Sequence, residues 1–377
     1  MVMTRARPSV STLSQQRRAW VEVSATALRH NLHHLRQGLH PQTQLWAVVK
    51  ANAYGHGATL VATLLAAGDE AAVEGFCVAT LEEGIELRQA GLTHPIVILE
   101  GLHQLQDWQT AHAFQLQVSL TDLDQLSWVE AVPGIPFHVH VDTGMTRLGI
   151  PWSEVSRIWP QVMASGRCVS LYSHLATAET PDHPAFALQV QRFRQLITQL
   201  QSQGWSLPPI HLGNSAIALG CPALHYDRVR VGLALYGMAP DAHLDGEASL
   251  RPVMQVCAKI VQIYDVAPGT GVSYGQRFVT QRPSRIATVG LGYADGLPRR
   301  LSGQIEGSLH GQIVPQVGTI TMDLSMWDVT EVPAAVGDVI RLWDGPDSAV
   351  TWAEQLDTIP YEILCGLGAR LPRVLVP

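Results

Sequence analysis

The 377-residue chain holds only two lysines, Lys50 and Lys259, although arginine is plentiful. Chemistry that needs an amine nucleophile therefore has two candidates. Lys50 closes the apolar run LWAVV. An amine at that position is partly desolvated, which suits it to forming a Schiff base. The same position suits a lysine that snorkels to the surface, and strand position alone does not separate the two. Asn214 and Ser215 stand at a predicted helix start, where free N–H groups and a positive dipole end favour an anion. Gly232 permits close backbone approach. An Asn-Ser pair is also an ordinary helix cap, so each signal carries weight only beside the others.

These residues need elements to bring them together. Eight β-branched runs alternate with helical stretches: 44–50, 75–80, 95–101, 116–121, 136–142, 169–175, 208–214 and 227–233. The clearest helix covers 184–203, where Phe186, Val190, Phe193, Ile197 and Leu200 recur at helical spacing behind Pro184. Alternation of this kind predicts a parallel sheet, and the count of eight predicts a closed (β/α)8 barrel of TIM type; a doubly wound open sheet is the competing fold. Active sites of such barrels sit at the C-terminal ends of the strands. There the sequence places Lys50, Asp142, Ser173, His174, His211, Asn214, Ser215, Arg230 and Gly232. A lysine on the first strand and an anion site after the seventh and eighth suggest pyridoxal phosphate, although Schiff-base aldolases use similar parts.

Composition sets the frame. Net charge is −7, so no basic surplus points to nucleic acid or to an anionic membrane, and no apolar run is long enough to span a bilayer. A small-molecule substrate is the default. The five cysteines are scattered and form no CxxC pair, which argues against disulfides and cysteine zinc sites and fits a cytoplasmic enzyme. Residues 1–18 read as a disordered leader, 19–240 as the barrel and 241–377 as a mainly β domain, with 19–43 able to pack with that second domain. In the second domain only 351–357 reads as helix. His30, His33, His34 and His56 read as surface residues, and no metal-ligand spacing is present.

The segment AVVKANAYGHG (47–57) resembles the cofactor-lysine motif of the alanine racemase family. The resemblance continues through HVDTGMTRLG (140–149), SHLATAE (173–179), HLGNSA (211–216), VRVGLALYG (229–237), GVSYG (271–275), GLGYADG (290–296), GTITMD (318–323) and ARLPRV (369–374). It implies a barrel followed by a β domain, a homodimer, and pyridoxal 5'-phosphate held covalently by Lys50. It also implies that Tyr54, Ser215 and the backbone at Gly232 hold the phosphate with Asn214 beside it. His174 packs on the ring, Arg230 faces the ring nitrogen, and His211 supports Arg230. Arg147 and the backbone of Met322 hold the substrate carboxylate. Tyr274 comes from the partner subunit, Tyr293 lines the substrate entrance, and Asp323 orients the carboxylate-binding loop.

The activity so implied is interconversion of L- and D-alanine, supplying D-alanine for peptidoglycan. Moving a proton between two faces of Cα takes two bases, Lys50 for the D-isomer and Tyr274 for the L-isomer. A tyrosine needs a nearby positive charge to act so, such as an imidazolium at His174. Arg230 cannot accept a proton, which leaves the ring nitrogen unprotonated and limits side reactions. The sequence also departs from the family. His140 stands where many members carry a carbamylated lysine, so Arg147 must be positioned by a bound anion or by a direct hydrogen bond. Thr146 replaces a common glycine, and Ala369 a tyrosine found in some members. The rival readings are a racemase of other scope, such as serine, a decarboxylase of similar architecture, and a non-catalytic pyridoxal phosphate carrier.

Overall fold

The computed structural model describes residues 18–67, 73–244, 250–344 and 348–377. The leader predicted over 1–18, Arg18 excepted, lies outside the described residues. So does part of the stretch 238–250 that reads as a linker. The chain divides into two compact units, one of residues 25–253 and one of residues 1–24 with 254–377.

The first strand, β1 (Ala19–Ser24), belongs to the second unit. The next eight are the barrel strands: β2 (Gln44–Val48), β3 (Gly75–Val78), β4 (Ile96–Ile98), β5 (Gln117–Leu120), β6 (Phe137–Asp142), β7 (Cys168–Ser173), β8 (Ile210–Gly213) and β9 (Arg228–Val231). Each pairs in parallel with the next, and β9 pairs with β2, so the sheet closes on itself. The predicted (β/α)8 fold is the observed one. Apolar faces explain the local choices. The helix Pro184–Ser202 carries proline in its first turn and buries Val190, Phe193, Leu196 and Leu200. The helix Leu81–Gln89 opens with a capping box in which Thr80 and Glu83 satisfy each other's backbone N–H groups.

The lumen is unusual for its fold. Barrel cores are dominated by branched aliphatic residues, yet here Trp46, His138, Ser170, Tyr172, His211, Arg228 and Arg230 are buried on the strands. Trp46 on β2 meets the His138 ring on β6 at 5.8 Å, although these strands are not neighbours, so both side chains point inward. Arg228 lies over the Trp46 ring, 4.8 Å from its centroid.

In the second unit, β10 (Met254–Val266) pairs antiparallel with β1 and, along its length, with two further strands. Those two are β15 (Val339–Leu342), against residues 256–259, and β11 (Ser284–Val289), against residues 260–266. Between them run β12 (Glu306–Leu309), β13 (Gln312–Val317) and β14 (Ser325–Asp328), all antiparallel. The last strand, β16 (Arg373–Val376), lies parallel to β1. The helix predicted at 351–357 is found at Ala349–Leu356, and a second one, Pro360–Cys365, was not anticipated. Its six residues are too few for a hydrophobic period; Pro360 in its first turn was the available signal.

Candidate active site

In the barrel unit, β2 stops at Val48, two residues short of the predicted end. The chain leaves extended geometry at Val49, and after Lys50 it winds left-handed: Ala51, Asn52, Ala53 and Tyr54 all have φ between 52° and 54°. Left-handed backbone costs roughly 1–2 kcal/mol for each such residue. The surroundings hold it in place. Glu83 accepts from the Ala51 N–H at 2.6 Å, and Asn52 Oδ1 accepts from Ala58 at 2.8 Å. His56 Nδ1 lies 2.9 Å from the Ala53 carbonyl and 3.0 Å from that of Tyr54. His56 is fully buried and stacks on Tyr236 at 4.4 Å, which corrects its reading as a surface residue. Its ring donates to carbonyls that a left-handed turn exposes, and that is why it is inside.

The turn brings Tyr54 against Gly232. A Cβ on residue 232 would lie 2.4 Å from the Tyr54 hydroxyl, so a larger residue there would push the Tyr54 ring aside. Ser215 Oγ accepts from the N–H groups of Gly232 (3.1 Å) and Ala234 (3.4 Å). Asn214 caps the short helix Ser215–Gly220 by accepting from Ile217 at 3.2 Å. Two hydroxyls, a bare glycine and backbone N–H groups thus form a cradle that suits a phosphate.

Arg230 lies on β9, the strand that leads into Gly232, and is almost wholly buried. None of the ion pairs among the described residues includes it. Its Nη1 donates to His211 Nδ1 at 2.6 Å. Its Nη2 donates to the Ser173 carbonyl at 2.9 Å and to His174 Nδ1 at 3.3 Å. Burial, reinforced by Arg230, holds both His174 and His211 well below the ordinary histidine pKa. The expectation of an imidazolium at His174 is therefore corrected: the ring is neutral, because charging it would place a second cation against Arg230 in a dry site.

His140 is buried too, and it stacks on Tyr172 at 4.4 Å rather than hydrogen-bonding Arg147. Its pKa is lowered to about 3 by burial first, then by Arg230 and Arg147. Arg147 lies on an exposed loop lining a cleft of about 410 Å3 with His103, Thr121, Asp122, Gln125 and Trp128. Asp142 organises that loop by accepting from Gly144, Met145 and Thr146 at 2.8–3.1 Å. Thr146 has φ of 56°, which explains why glycine is the common residue there.

The remaining predicted residues lie in the β unit. Tyr274 is 73 % exposed. It follows Ser273, whose φ of 63° and ψ of −172° fall where glycine is usual. A reciprocal pair braces the turn: Ser273 Oγ donates to the Thr319 carbonyl (2.6 Å), and Thr319 Oγ1 donates to the Tyr274 carbonyl (2.8 Å). The Met322 loop packs on Gly292, with Tyr293 N–H donating to Thr321 (3.0 Å) and Ala294 N–H to the Met322 carbonyl (2.9 Å). Asp323 accepts from Arg370 at 2.8 Å. Sequence reasoning missed Tyr172, Tyr236, Gln117, His138 and Ser170. The spacing of His138 and His140, two apart on one strand and so on one face, was the signal for a polar lumen.

A closed parallel barrel with a lysine turn and an anion cradle, in a chain continued by an antiparallel β unit, defines a class of two-unit enzymes that hold a phosphorylated cofactor. The comparisons narrow it. Residues 23–240 match the family described as alanine racemase, N-terminal domain, and residues 253–375 match alanine racemase, C-terminal domain. The alanine racemase of Nostoc sp. is 45% identical over 95% of this chain and 95% of its own. That of Synechocystis sp. is 45% identical over 96% of this chain and 100% of its own. The solved alanine racemase of Streptomyces lavendulae superposes with a TM-score of 0.85 at 33% identity, covering 96% of this chain and 97% of that one. The chain belongs to the alanine racemase family.

Proposed function

We infer that the chain interconverts L- and D-alanine with pyridoxal 5'-phosphate, the activity its family membership carries. The observation that carries the reading is the barrel rim, where the Lys50 turn closes onto Gly232 and Ser215 beside an Arg230 that has no carboxylate partner among the described residues. When bound, the cofactor supplies an electron sink for the negative charge left at Cα. Lys50 anchors it, and Tyr54, Ser215, Asn214 and the Gly232 backbone hold its phosphate. Arg230, with His211 behind it, donates toward the ring nitrogen and leaves that nitrogen unprotonated. His174 packs beside the ring.

Lys50 takes or returns the proton on the face of Cα that D-alanine presents. Tyr274 of the partner subunit does the same on the L face. With His174 neutral, the permanent charge beside it is Arg230's, whose Nη2 donates to the His174 ring. Arg147 and the Met322 N–H hold the substrate carboxylate, Tyr293 lines the entrance, and Asp323 braces the Met322 loop. The homodimer reading is supported by the exposed Tyr274, Met322 and Tyr293 of the β unit. No described helix is long and apolar enough to cross a membrane, and the five cysteines are free, which supports a cytoplasmic enzyme supplying D-alanine for peptidoglycan.

Subunit mixing tests the shared site. Lys50→Ala and Tyr274→Phe proteins are each expected to be inactive. Co-refolded, they are expected to regain about a quarter of wild-type activity, because half the dimers are mixed and each mixed dimer has one intact site. No recovery would place both bases on one subunit. Chiral analysis of products from alanine, serine and larger amino acids tests the substrate.

A further inference from the structure

Five consecutive barrel strands each give one side chain to a single hydrogen-bonded chain. Gln117 Oε1 on β5 lies 2.8 Å from His138 Nε2 on β6. His138 Nδ1 lies 2.6 Å from Ser170 Oγ on β7, which lies 2.7 Å from His211 Nε2 on β8. His211 Nδ1 receives Arg230 of β9 at 2.6 Å. His138 and Ser170 are fully buried, and His211 and Arg230 nearly so.

The direction of every bond follows from one end. A guanidinium can only donate, so His211 accepts at Nδ1. A neutral imidazole carries one N–H, which for His211 is then on Nε2 and points at Ser170. The single hydroxyl proton of Ser170 goes to His138 Nδ1. His138 therefore carries its proton on Nε2 and gives it to Gln117. The opposite polarity at His138 has no good solution. Ser170 would accept from both rings, and its own proton would be stranded in a closed lumen, at a cost of about 1–3 kcal/mol.

We propose that Gln117, His138 and Ser170 are positioning residues of the racemase: a relay of fixed polarity that gives the His211 Nε2–H its acceptor, holds that ring in place and thereby fixes the donor direction of Arg230. The proposal rests on the family reading for Arg230's place at the ring nitrogen. Its logic is electrostatic. A carboxylate behind His211 would orient the ring equally well, but it would invite a proton onto the imidazole and cancel Arg230's charge. A relay of neutral groups orients without adding charge and polarises along its length. Burial, with Arg228 and Arg230 nearby, lowers His138 to about pKa 3 and so keeps the relay neutral.

Nitrogen NMR of the full-length protein labelled with 15N-histidine reads the tautomers directly at neutral pH. His138 and His211 are expected as Nε2–H forms. Ser170→Ala cuts the relay: His211 should keep its Nε2–H, which Arg230 dictates, but its Nε2 resonance should shift as that proton loses its acceptor. With pyridoxal phosphate bound, kcat should fall about tenfold while KM for alanine changes less than about twofold, and Ser170→Thr, which keeps the hydroxyl, should restore both. Gln117→Glu places a carboxylate at the far end, so His138 should become doubly protonated and drive the relay backward, with a kcat loss like that of Ser170→Ala. Gln117 is only half-buried, so this variant should fold if Ser170→Ala does not. An Nδ1–H His211 in the wild type, or an unchanged His211 Nε2 resonance or kcat in both Ser170→Ala and Gln117→Glu, would overturn the proposal. A wild-type protein with the expected tautomers but no racemisation of alanine would sink the activity reading and leave the relay standing.

Discussion

The two turns that carry the proposed bases are both strained, yet they are held in opposite ways. The turn after Lys50 is left-handed over four residues without glycine, and it is enclosed: Ala53 and His56 are wholly buried, and Glu83, Asn52 and His56 anchor it. The turn before Tyr274 is strained at Ser273, but its tyrosine is mostly exposed, and one reciprocal hydroxyl–carbonyl pair braces it. The amine is placed by packing within its own unit. The phenol is presented outward, where a second copy of the chain can use it. Strain in the first case is held by a core, and in the second by two hydrogen bonds.

That contrast can be broken by substitution. The largest effect belongs to Lys50→Ala, which should lose the cofactor's visible absorbance band and reduce racemisation, followed by circular dichroism of L-alanine, by more than about a thousandfold. Lys259→Ala should keep both. Tyr274→Phe should keep the band and lose racemisation by about 10²–10⁴-fold. In heavy water its residual exchange should be one-sided, with the Cα proton of D-alanine washing out faster than that of L-alanine. Equal washout from both isomers would remove Tyr274 from the mechanism.

Smaller effects separate the two kinds of support. Ala53→Val puts a β-branched side chain into a buried left-handed position and should lower unfolding stability in urea by about 2–4 kcal/mol. Ser273→Gly relieves strain but loses one hydrogen bond, so its stability should stay within about 1 kcal/mol of wild type. If the two substitutions cost the same, the distinction between enclosed and braced turns fails.

Acid should also attack the barrel unit. Four neutral histidines sit in its lumen, with His138 and His140 lowered to about 3 and His174 and His211 lowered well below 6.5. The unfolded chain protonates each near 6.5, before the folded chain does. Their stability contribution is therefore whole above about 6.5 and is lost as pH falls toward 3, by at most about 1.4 kcal/mol per pH unit for each histidine. Thermal melts from neutral pH downward should show Tm falling through this window, less steeply in His138→Gln. A flat profile would contradict the neutral lumen.

Much of this was legible in the sequence. All eight predicted barrel strands are found, with most ends within one or two residues of the prediction, because β-branched runs and helical periods alternate along the chain. Lys50, Asn214, Ser215, Arg230 and Gly232 could be placed on one rim because strand ends locate a barrel's rim. The left-handed turn could not be read. Ala-Asn-Ala-Tyr has no glycine to announce positive φ, and its anchors come from residues that only folding brings near. The relay was hidden for a related reason. Gln117, His138 and Ser170 share their strands with other polar residues, Ser119, His140 and Ser173, and nothing local distinguishes a networked side chain from an isolated one.

The pairing of β1 with β10 and β16 sets an order of assembly. Residues 19–24 are made early, yet their neighbours in the sheet are residues 254–258 and 373–376. The whole barrel unit intervenes in the chain, so the first strand waits for residues 373–376 before its pairing is finished. Contacts so distant in sequence form slowly, and an unpaired strand edge is sticky while it waits. During synthesis the barrel can fold while the β unit still lacks its final strand. A lesion at the C-terminal end should therefore show itself first as aggregation through β1, rather than as a fault in the barrel.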